Sequence, residues 1–342
     1  MIRMRQTYVL FRFVVALSIF FACSAHAEPA DSSANSREAQ SWLAKMQSAA
    51  RTLSYSGIFV YQQGNQMRTS RITHVLDGKD ELEKLEILDG QPREYIRNDE
   101  EVVCYVPESK TMLVEKRVAH DIFPAILAAN PSDLAAVYDV KKDVSGRVAG
   151  RDCQSIELAP KDKLRYGYKL WADKSTGLLL KAQTLDDKHE VVEQISFTHV
   201  SIGNINPDRV KTSFTDTSGW RVENAEMSEA RPSGWTVTWL PPGFKKIREV
   251  RRLVSDTNPD SAASPKGTPA KRVVRQLVFS DGLAAISVFI EPGSQSRTEG
   301  SMQQGATSII GKRQGDYWIT LVGEVPSAAL RQVANSIEFK PK

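Results

Sequence analysis

The chain has 342 residues, 41% of them hydrophobic and 25% charged, which is ordinary for a globular protein and long enough for about two domains. Three of its positive charges lie in residues 1–27, so the net charge falls from +4 to +1 once that segment is removed. The pI of 8.8 therefore exaggerates how basic the mature protein is, and this near balance argues against a nucleic-acid-binding protein.

Residues 1–27 have the features of a secretory signal peptide. Three arginines precede a ten-residue apolar run at 13–22, and Ala25–Ala27 has the small-x-small pattern of a signal peptidase site. Ten residues are too few to span a bilayer. The sequence therefore predicts cleavage after Ala27 and a soluble mature protein in the periplasm. The alternative is a lipoprotein acylated at Cys23, a signal that the bulky aromatic residues before this cysteine fit poorly.

The charge of the mature chain is unevenly divided. Residues 235–342 contain 15 Lys and Arg against 9 Asp and Glu, a balance of +6, so residues 28–234 carry −5. Two interpretations stay open: the basic end meets an acidic partner or an anionic lipid, or the two parts of the chain attract one another.

Two cysteines, Cys104 and Cys153, remain after export, and both lie in strand-like runs. An even pair of cysteines in an oxidising compartment commonly closes a disulfide. We hypothesise a Cys104–Cys153 bridge, and the alternative is two buried free thiols.

The mature chain begins with a helical pattern and continues mostly with strands. Residues 35–53 predict an amphipathic helix. Strands are predicted at 57–61, 71–76, 82–88, 94–97, 102–106 and 111–115, with turn dipeptides at 64–65, 77–78 and 89–90. Because short turns join these strands, we expect antiparallel pairing.

Helical patterning returns at 120–138, where Pro124 and Pro131 limit it to short pieces. Further strands are predicted at 166–171, 178–184 and 190–200, with an alternation that suits a sheet covered on one face. The predicted class is mainly β within an α+β arrangement, since many antiparallel strands and a few helices can form a half-open barrel covered by helices.

Residues 219–234 are poor in pattern and rich in charge, and they are predicted to link a first domain, 28–218, to a smaller α+β domain, 235–342. Residues 255–270 cannot bury a core and are predicted to form a mobile loop. The smaller domain is predicted to contain strands at 237–240, 244–252, 272–280, 284–291, 309–312 and 317–322, and a final helix that Pro326 opens, with Leu330, Val333, Ala334 and Ile337 on one face.

The sequence contains no Gly-x-Ser-x-Gly elbow, no glycine-rich phosphate loop and no Cys-x-x-Cys pair. The segment His189–Glu193 has the first half of a zinc-binding His-Glu-x-x-His motif, but Glu193 replaces the second histidine and the segment is predicted to be a strand. We therefore predict no enzyme activity, no metal and no cofactor.

The predicted half-open barrel would be a container. Every second side chain of its strands would line the concave face, and an acyl chain that enters a dry cavity gains about 0.8 kcal/mol per buried CH₂ group. The alternative is that these apolar faces only pack a core.

Five parts of the sequence together resemble the RseB/MucB family: Gly57–Tyr61, Arg165–Trp171 with Thr176–Lys181, Trp239–Phe244, Asp281–Ala284 with Ser287–Pro292, and Val322–Pro326. They occur in the family's order and span nearly the whole mature chain. The resemblance implies an N-terminal domain similar to the lipoprotein carriers LolA and LolB, which is an unclosed β-barrel covered by helices, and a smaller C-terminal α+β domain.

The resemblance also implies a function. Members of the family bind the periplasmic region of a membrane-spanning anti-sigma factor (RseA or MucA), shield it from site-one proteolysis and so repress the sigma-E envelope-stress response. Lipopolysaccharide or its lipid portion is the implied release signal. A LolA-like lipid or lipoprotein carrier is the alternative, although the extra domain from Trp235 onward argues against it. A hydrolase ranks last, and self-association into a homo-oligomer stays open.

A basic cluster begins the smaller domain. It is predicted to face an acidic stretch of the anti-sigma factor or lipid phosphates. The alternative is a solvated edge that prevents strand aggregation. Strand alternation places Lys246 and Arg248 on one face and Lys245 on the other. The cluster consists of Lys245, Lys246, Arg248, Arg251 and Arg252.

Overall fold

The structure is a computed structural model that describes residues 30–78, 80–99, 101–116, 131–225, 227–229, 234–255, 271–293 and 297–340. Within these ranges the chain forms two main β-sheets, one for each half of the molecule. The helices are few and short apart from the first, so the class is mainly β, as predicted.

The larger sheet contains thirteen strands in the described part of the chain. They are β1 (Tyr55–Gln63), β2 (Gln66–Asp77), β3 (Asp80–Ile87), β4 (Arg93–Asn98), β5 (Glu101–Val106), β6 (Thr111–Lys116), β7 (Tyr138–Lys142), β8 (Gly146–Val148), β9 (Arg151–Pro160), β10 (Gly167–Asp173), β11 (Leu179–Leu185), β12 (Val191–Ile202) and β13 (Arg221–Ala225).

These strands follow the order β13-β6-β5-β4-β3-β2-β1-β12-β11-β10-β9-β7, with β8 beside β9. Neighbouring strands are antiparallel except β13, which runs parallel to β6. The end strands β13 and β7 do not pair with each other among the described residues. The sheet is therefore an unclosed barrel wall, which confirms the predicted architecture.

Helix α1 (Ala30–Thr52) covers one face of this sheet, called here the helix-covered face. Its buried residues Leu43 and Met46 pack with Leu170, while Ala49 joins a second cluster around Phe59 and Ile72. Burial of one such aliphatic side chain contributes about 1.5–3 kcal/mol, so tertiary packing stabilises the helix more than local propensity does. A second helix, α2 (Pro131–Val137), joins the first cluster.

Glycine explains two local features of the strands. At Gly57 in β1 a Cβ atom would lie 2.6 Å from the carbonyl oxygen of His199 and 2.6 Å from the ring of Phe197, so no larger residue fits without displacement. The predicted turns at Gly64, Gly78 and Gly90 all have positive φ, between 55° and 72°, as tight hairpin turns require.

The smaller sheet and its helix form the C-terminal half. Helix α3 (Ser327–Asn335) buries Ala329, Leu330, Val333 and Ala334 against this sheet. The strands of this half are β14 (Met227–Glu229), β15 (Trp235–Val237), β16 (Lys245–Ser255), β17 (Lys271–Ser280), β18 (Ala285–Pro292), β19 (Gly300–Gln304), β20 (Thr307–Gln314), β21 (Tyr317–Gly323) and β22 (Ile337–Phe339). The strand order of the smaller sheet is β14-β16-β17-β18-β21-β20-β19, and β15 pairs separately with β22.

The structure differs from the sequence predictions at several elements. Ile337 does not belong to the final helix but begins β22, where it is still buried. The polar, exposed strand β19 lacks alternation and was not predicted. In the predicted helical region only α2 is described, and residues 117–130, like 256–270 of the predicted loop, lie outside the described residues.

The chain passes from the larger to the smaller sheet between β13 and β14, inside the segment predicted as a linker. We propose that the two domains divide there. The described residues of that segment include both short strands, and each strand lies at one edge of its own sheet.

Candidate functional site

The two sheets contact each other through turns of the smaller domain. The turns at 241–244, 281–284 and 304–307 reach the helix-covered face of the larger sheet near β7, β10 and β12. We call this set of contacts the domain seam.

A buried ion pair holds one end of the seam. Arg165, which precedes β10, donates from Nη1 to Asp281 Oδ2 at 2.6 Å and from Nη2 to the Pro242 carbonyl at 2.5 Å. Its Nε donates to Asp162 Oδ1 at 3.1 Å. The side chains of Arg165 and Asp281 are both 0% exposed. One guanidinium therefore joins three separate parts of the chain without contact with solvent.

Packing around this arginine is also shared between the domains. Its guanidinium lies over the rings of Tyr138 and Phe244, 5.6 and 5.8 Å from their centroids. Leu283 of the smaller domain is buried within the core cluster of the larger one. Gly243 has φ +85°, and a Cβ there would lie 3.1 Å from Val137, so glycine allows this close approach.

A second set of contacts, around Glu193 of β12, joins the domains at the β19–β20 turn. Glu193 Oε1 accepts from the Ala306 backbone N–H at 2.9 Å and from Gln63 Nε2 at 2.7 Å. Gln63 also donates to the Gln304 carbonyl at 3.0 Å. Gly305, between these residues, has φ +56°, and a Cβ there would lie 2.5 Å from Gln63 Cγ and 2.6 Å from Glu193 Oε1.

A cavity of about 170 Å³ lies between these two sets of contacts. Both domains line it, with two carboxylates, two tyrosines and several apolar side chains. Burial, together with the negative charge of Glu193 and Glu324, raises the pKa of Tyr61 and of Tyr168. The lining residues are Tyr61, Tyr168, Ala182, Thr184, Glu193, Gln194, Ile195, Leu283, Ala306 and Glu324.

A separate group of charged side chains is buried on the helix-covered face of β2–β4. Arg97 Nη2 lies 2.7 Å from Glu81 Oε1, and His74 Nε2 lies 3.2 Å from the same oxygen. Burial raises the pKa of the neighbouring Glu83, and the positive charge of Arg97 opposes this effect. Arg97 Nε and Nη1 are buried without a hydrogen-bond partner, which is a costly arrangement within the part of the chain that the structure describes.

A larger cavity, of about 530 Å³, lies beside the β3–β4 turn. Two arginines and a tyrosine line it, Arg68, Arg93 and Tyr95, together with Ile87 and the turn residues 89–91. Asp89 accepts a hydrogen bond from the Thr69 backbone N–H. Because two arginines and one aspartate line the cavity, its net charge is positive.

The five basic residues predicted as a binding cluster are dispersed rather than gathered into one patch. Lys245 lies 3.5 Å from Asp133, and Arg252 lies 3.0 Å from Glu115, so both form ion pairs with the larger domain. Lys246 pairs with Glu249 within its own strand. The predicted alternation is wrong at the bulge in β16 between Lys246 and Arg248: these two residues pair with the consecutive residues Phe279 and Val278 and so point to opposite faces. Arg251 is exposed, and a binding role for the cluster stays a prediction.

The hypothesised disulfide is absent from the structure. Cys104 in β5 and Cys153 in β9 are free and buried. Seven strands of the sheet order separate β5 from β9, whereas bridged cysteines need Cα atoms within about 7 Å. Each cysteine lies in a run typical of a strand, but the sequence alone does not say which strands are neighbours.

Burial raises the pKa of the Cys153 thiol to about 11 and also raises the pKa of Cys104. Because the thiolate is the reactive form, we expect both to react slowly with a disulfide reagent at pH 8 in the folded protein, and faster as the pH approaches 11. In denaturant without reductant, two thiols per mature chain should titrate. If no thiol titrates in denaturant without reductant, the Cys104–Cys153 disulfide hypothesis would be supported instead.

Among the described residues, no group of three or more His, Cys, Asp or Glu side chains is arranged to hold a metal ion. No helix in the same ranges is long and apolar enough to cross a membrane.

The segments that carry the family resemblance meet at the domain seam. Arg165 and Tyr168, Pro242 and Gly243, and Asp281 and Leu283 come from three of them and surround the buried ion pair. Tyr61 and Glu324, from the other two, line the cavity between the domains. None of these segments is a catalytic motif. Their shared location indicates that they form the contacts of the domain seam.

Comparisons with known proteins agree with both halves of this architecture. The family model for the MucB/RseB N-terminal domain matches residues 38–227, and that for the MucB/RseB C-terminal domain matches residues 229–338. The chain is 31% identical to the sigma factor AlgU regulatory protein MucB of Pseudomonas aeruginosa, over 88% of this chain and 90% of that protein. It is 27% identical to the sigma-E factor regulatory protein RseB of Haemophilus influenzae, over 90% and 93% of the two chains.

Among solved structures, the complex of Pseudomonas aeruginosa MucA and MucB is 29% identical in sequence, with a TM-score of 0.68 over 89% of this chain and 100% of that chain. A second structure of MucB, in complex with MucA(peri), gives a TM-score of 0.66 over the same shares.

Proposed function

The chain belongs to the MucB/RseB family, and on that premise we propose that it binds the periplasmic region of a MucA- or RseA-like anti-sigma factor and so represses a sigma-E-type response. The related proteins are regulators of sigma factors by name. The observation that carries the proposal is the likeness, over 89% of this chain, to MucB in complex with MucA.

The domain seam supports a binding role that needs both domains. A single-domain carrier needs only the container, whereas here Arg165, Glu193 and Leu283 fix the second domain against the first. Fixed contacts of this kind hold a composite surface in one shape, which lowers the cost of ordering it when a partner binds. We propose that the anti-sigma factor contacts both domains, and that the bound protein covers the site of the first proteolytic cut.

Release requires a signal that prefers the partner-free state. A ligand shifts such an equilibrium only by the difference between its affinities for the two states. We propose lipopolysaccharide or its lipid portion as this signal. The cavity near Arg68 and Arg93 supports the proposal because its volume of about 530 Å³ and its two guanidinium groups suit a lipid phosphate.

The same proposal places the mature protein in the periplasm, after export and cleavage following Ala27. This assignment rests on the signal-peptide pattern of residues 1–27. An anti-sigma factor that spans the membrane would present its periplasmic region in the same compartment.

The test is calorimetric titration of the mature protein with the periplasmic segment of the host's own anti-sigma factor, with and without lipid A. We expect binding that weakens at least tenfold when lipid A is present. Binding that lipid A leaves unchanged would contradict the release mechanism alone. Absence of binding, together with uptake of acylated lipoprotein peptides, would favour a LolA-like carrier.

A further inference from the structure

The family relationship does not explain the size, the negative charge and the aromatic walls of the cavity between the domains. Its volume of about 170 Å³ exceeds that of an engineered cavity of about 150 Å³ that holds a benzene molecule. It therefore has room for the end of one large side chain. Among the described residues that line it, none is a lysine or an arginine.

Two carboxylates give this cavity its charge. Glu193 is held in place by Gln63 and by the backbone of Ala306, both of which donate to Oε1. Burial raises the pKa of Tyr61 and of Tyr168, the negative charges of Glu193 and Glu324 raise both further, and the positive charge of Arg68 opposes them at Tyr61. Asp281 also lies within range of Tyr168, but Arg165 neutralises it directly.

The other walls suit the stem and face of a basic side chain. Leu283 and Ile195 offer apolar contact for methylene groups, and Tyr61 and Tyr168 offer aromatic surfaces. A guanidinium or ammonium group gains from such rings by a cation–π interaction and from carboxylates by charge-assisted hydrogen bonds. An acidic side chain would meet the negative charges of Glu193 and Glu324 in a partly enclosed site, and a purely apolar one would gain nothing from them.

We propose that this cavity is the receptor for a lysine or arginine side chain of the polypeptide partner. The inference rests on the proposed function and adds the chemistry of recognition to it. Because Tyr61 and Glu193 come from the larger domain, and Leu283, Ala306 and Glu324 from the smaller one, the pocket exists only while the domains are docked. A partner that inserts a basic side chain therefore binds the docked arrangement selectively, and anything that separates the domains releases it.

The first experiment compares charge-removing variants that keep the shape of the pocket. In Glu193→Gln/Glu324→Gln the amide oxygens can still accept hydrogen bonds, so the seam should stay docked. The matched control, Asp187→Asn/Glu190→Gln, removes the same charge from exposed residues of the β11–β12 turn. We expect at least tenfold weaker binding of the anti-sigma segment by the first variant and less than twofold weakening by the control.

Equal affinity of the wild type and Glu193→Gln/Glu324→Gln would overturn the inference and leave the proposed function intact. Thermal unfolding of both variants checks that any loss of affinity is not a loss of folding. If the wild type itself fails to bind the segment, the proposed function fails, and the pocket is then tested by a second experiment.

The second experiment uses a small probe and its neutral analogue. N-acetyl-arginine amide and N-acetyl-citrulline amide have nearly the same shape but differ in charge. We expect the arginine compound to shift the methyl resonances of Leu283 and Ala306 saturably, with citrulline at least tenfold weaker. Equal shifts from both compounds, or none from either, would show that the pocket does not select a basic group.

Discussion

Replacing Arg165 by methionine is expected to lower the free energy of unfolding by about 3–5 kcal/mol, which is the usual cost of leaving a buried charge without its partner. Methionine fills a similar volume but abandons Asp281, Asp162 and the Pro242 carbonyl, all of which accept hydrogen bonds from the guanidinium. Urea titration of the mature protein measures the change.

Two further variants separate this effect from a general loss of charge. Arg147→Met removes an arginine whose ion pair with Asp152 is exposed, with side-chain exposures of 71% and 76%, so its cost should stay below about 1 kcal/mol. Arg165→Met/Asp281→Asn removes the uncompensated carboxylate and should recover part of the loss. An Arg165→Met variant as stable as Arg147→Met would show that the pair does not hold the seam.

Replacing Gly305 by leucine is expected to push the β19–β20 turn away from the larger domain. The new side chain would collide with Gln63 and Glu193, and displacement would break the hydrogen bonds of Ala306 and Gln304 across the seam. Ala306 is buried, and leaving its backbone N–H without a partner costs about 1–3 kcal/mol. We expect the variant to be about 2 kcal/mol less stable than its control and to bind the anti-sigma segment at least tenfold more weakly.

The control is Gly315→Leu. Gly315 has φ +59°, close to the +56° of Gly305, but nothing lies within 4 Å of a Cβ built there. Both variants therefore carry the same backbone strain, and only Gly305→Leu disturbs the seam. Small-angle scattering should show a wider distribution of distances between the domains for Gly305→Leu alone. Indistinguishable scattering and affinity for the two variants would contradict a role for this turn in docking.

Most strands were predictable from the sequence because their signals are local. Alternation with a period of two and the glycine-containing turn dipeptides depend on residues within a few positions of each other. Strands β1 to β6 overlap the strands that these patterns predict, and the turn glycines have positive φ. Strand β19 was not predictable because its five residues, mostly polar, are exposed on both faces and therefore show no alternation. The helix assignment of Ile337 failed because an apolar residue satisfies a helix face and a buried strand equally well.

The site was less predictable, since proximity in the sequence is a poor guide to it. The basic cluster near 245–252 was the most conspicuous charge pattern in the sequence. However, a bulge and separate ion pairs disperse its members. In the sequence, Glu193 stands out only because it replaces the second histidine of a zinc motif, whereas in the structure it accepts hydrogen bonds from both domains. No local signal distinguishes such a glutamate from any other in a strand.

The sequence by itself determined the family, the mainly β class and the positions of most strands along the chain, since these follow from short-range patterns and from five segments recognised together. Only the tertiary structure decided that those segments meet. Arg165 and Asp281 are 116 residues apart in the chain yet form one buried ion pair. The same structure keeps Cys104 and Cys153 apart on strands that the sequence could not order. The physical reason is that an isolated segment fixes its own backbone, whereas contacts between distant segments depend on how the complete sheets pack.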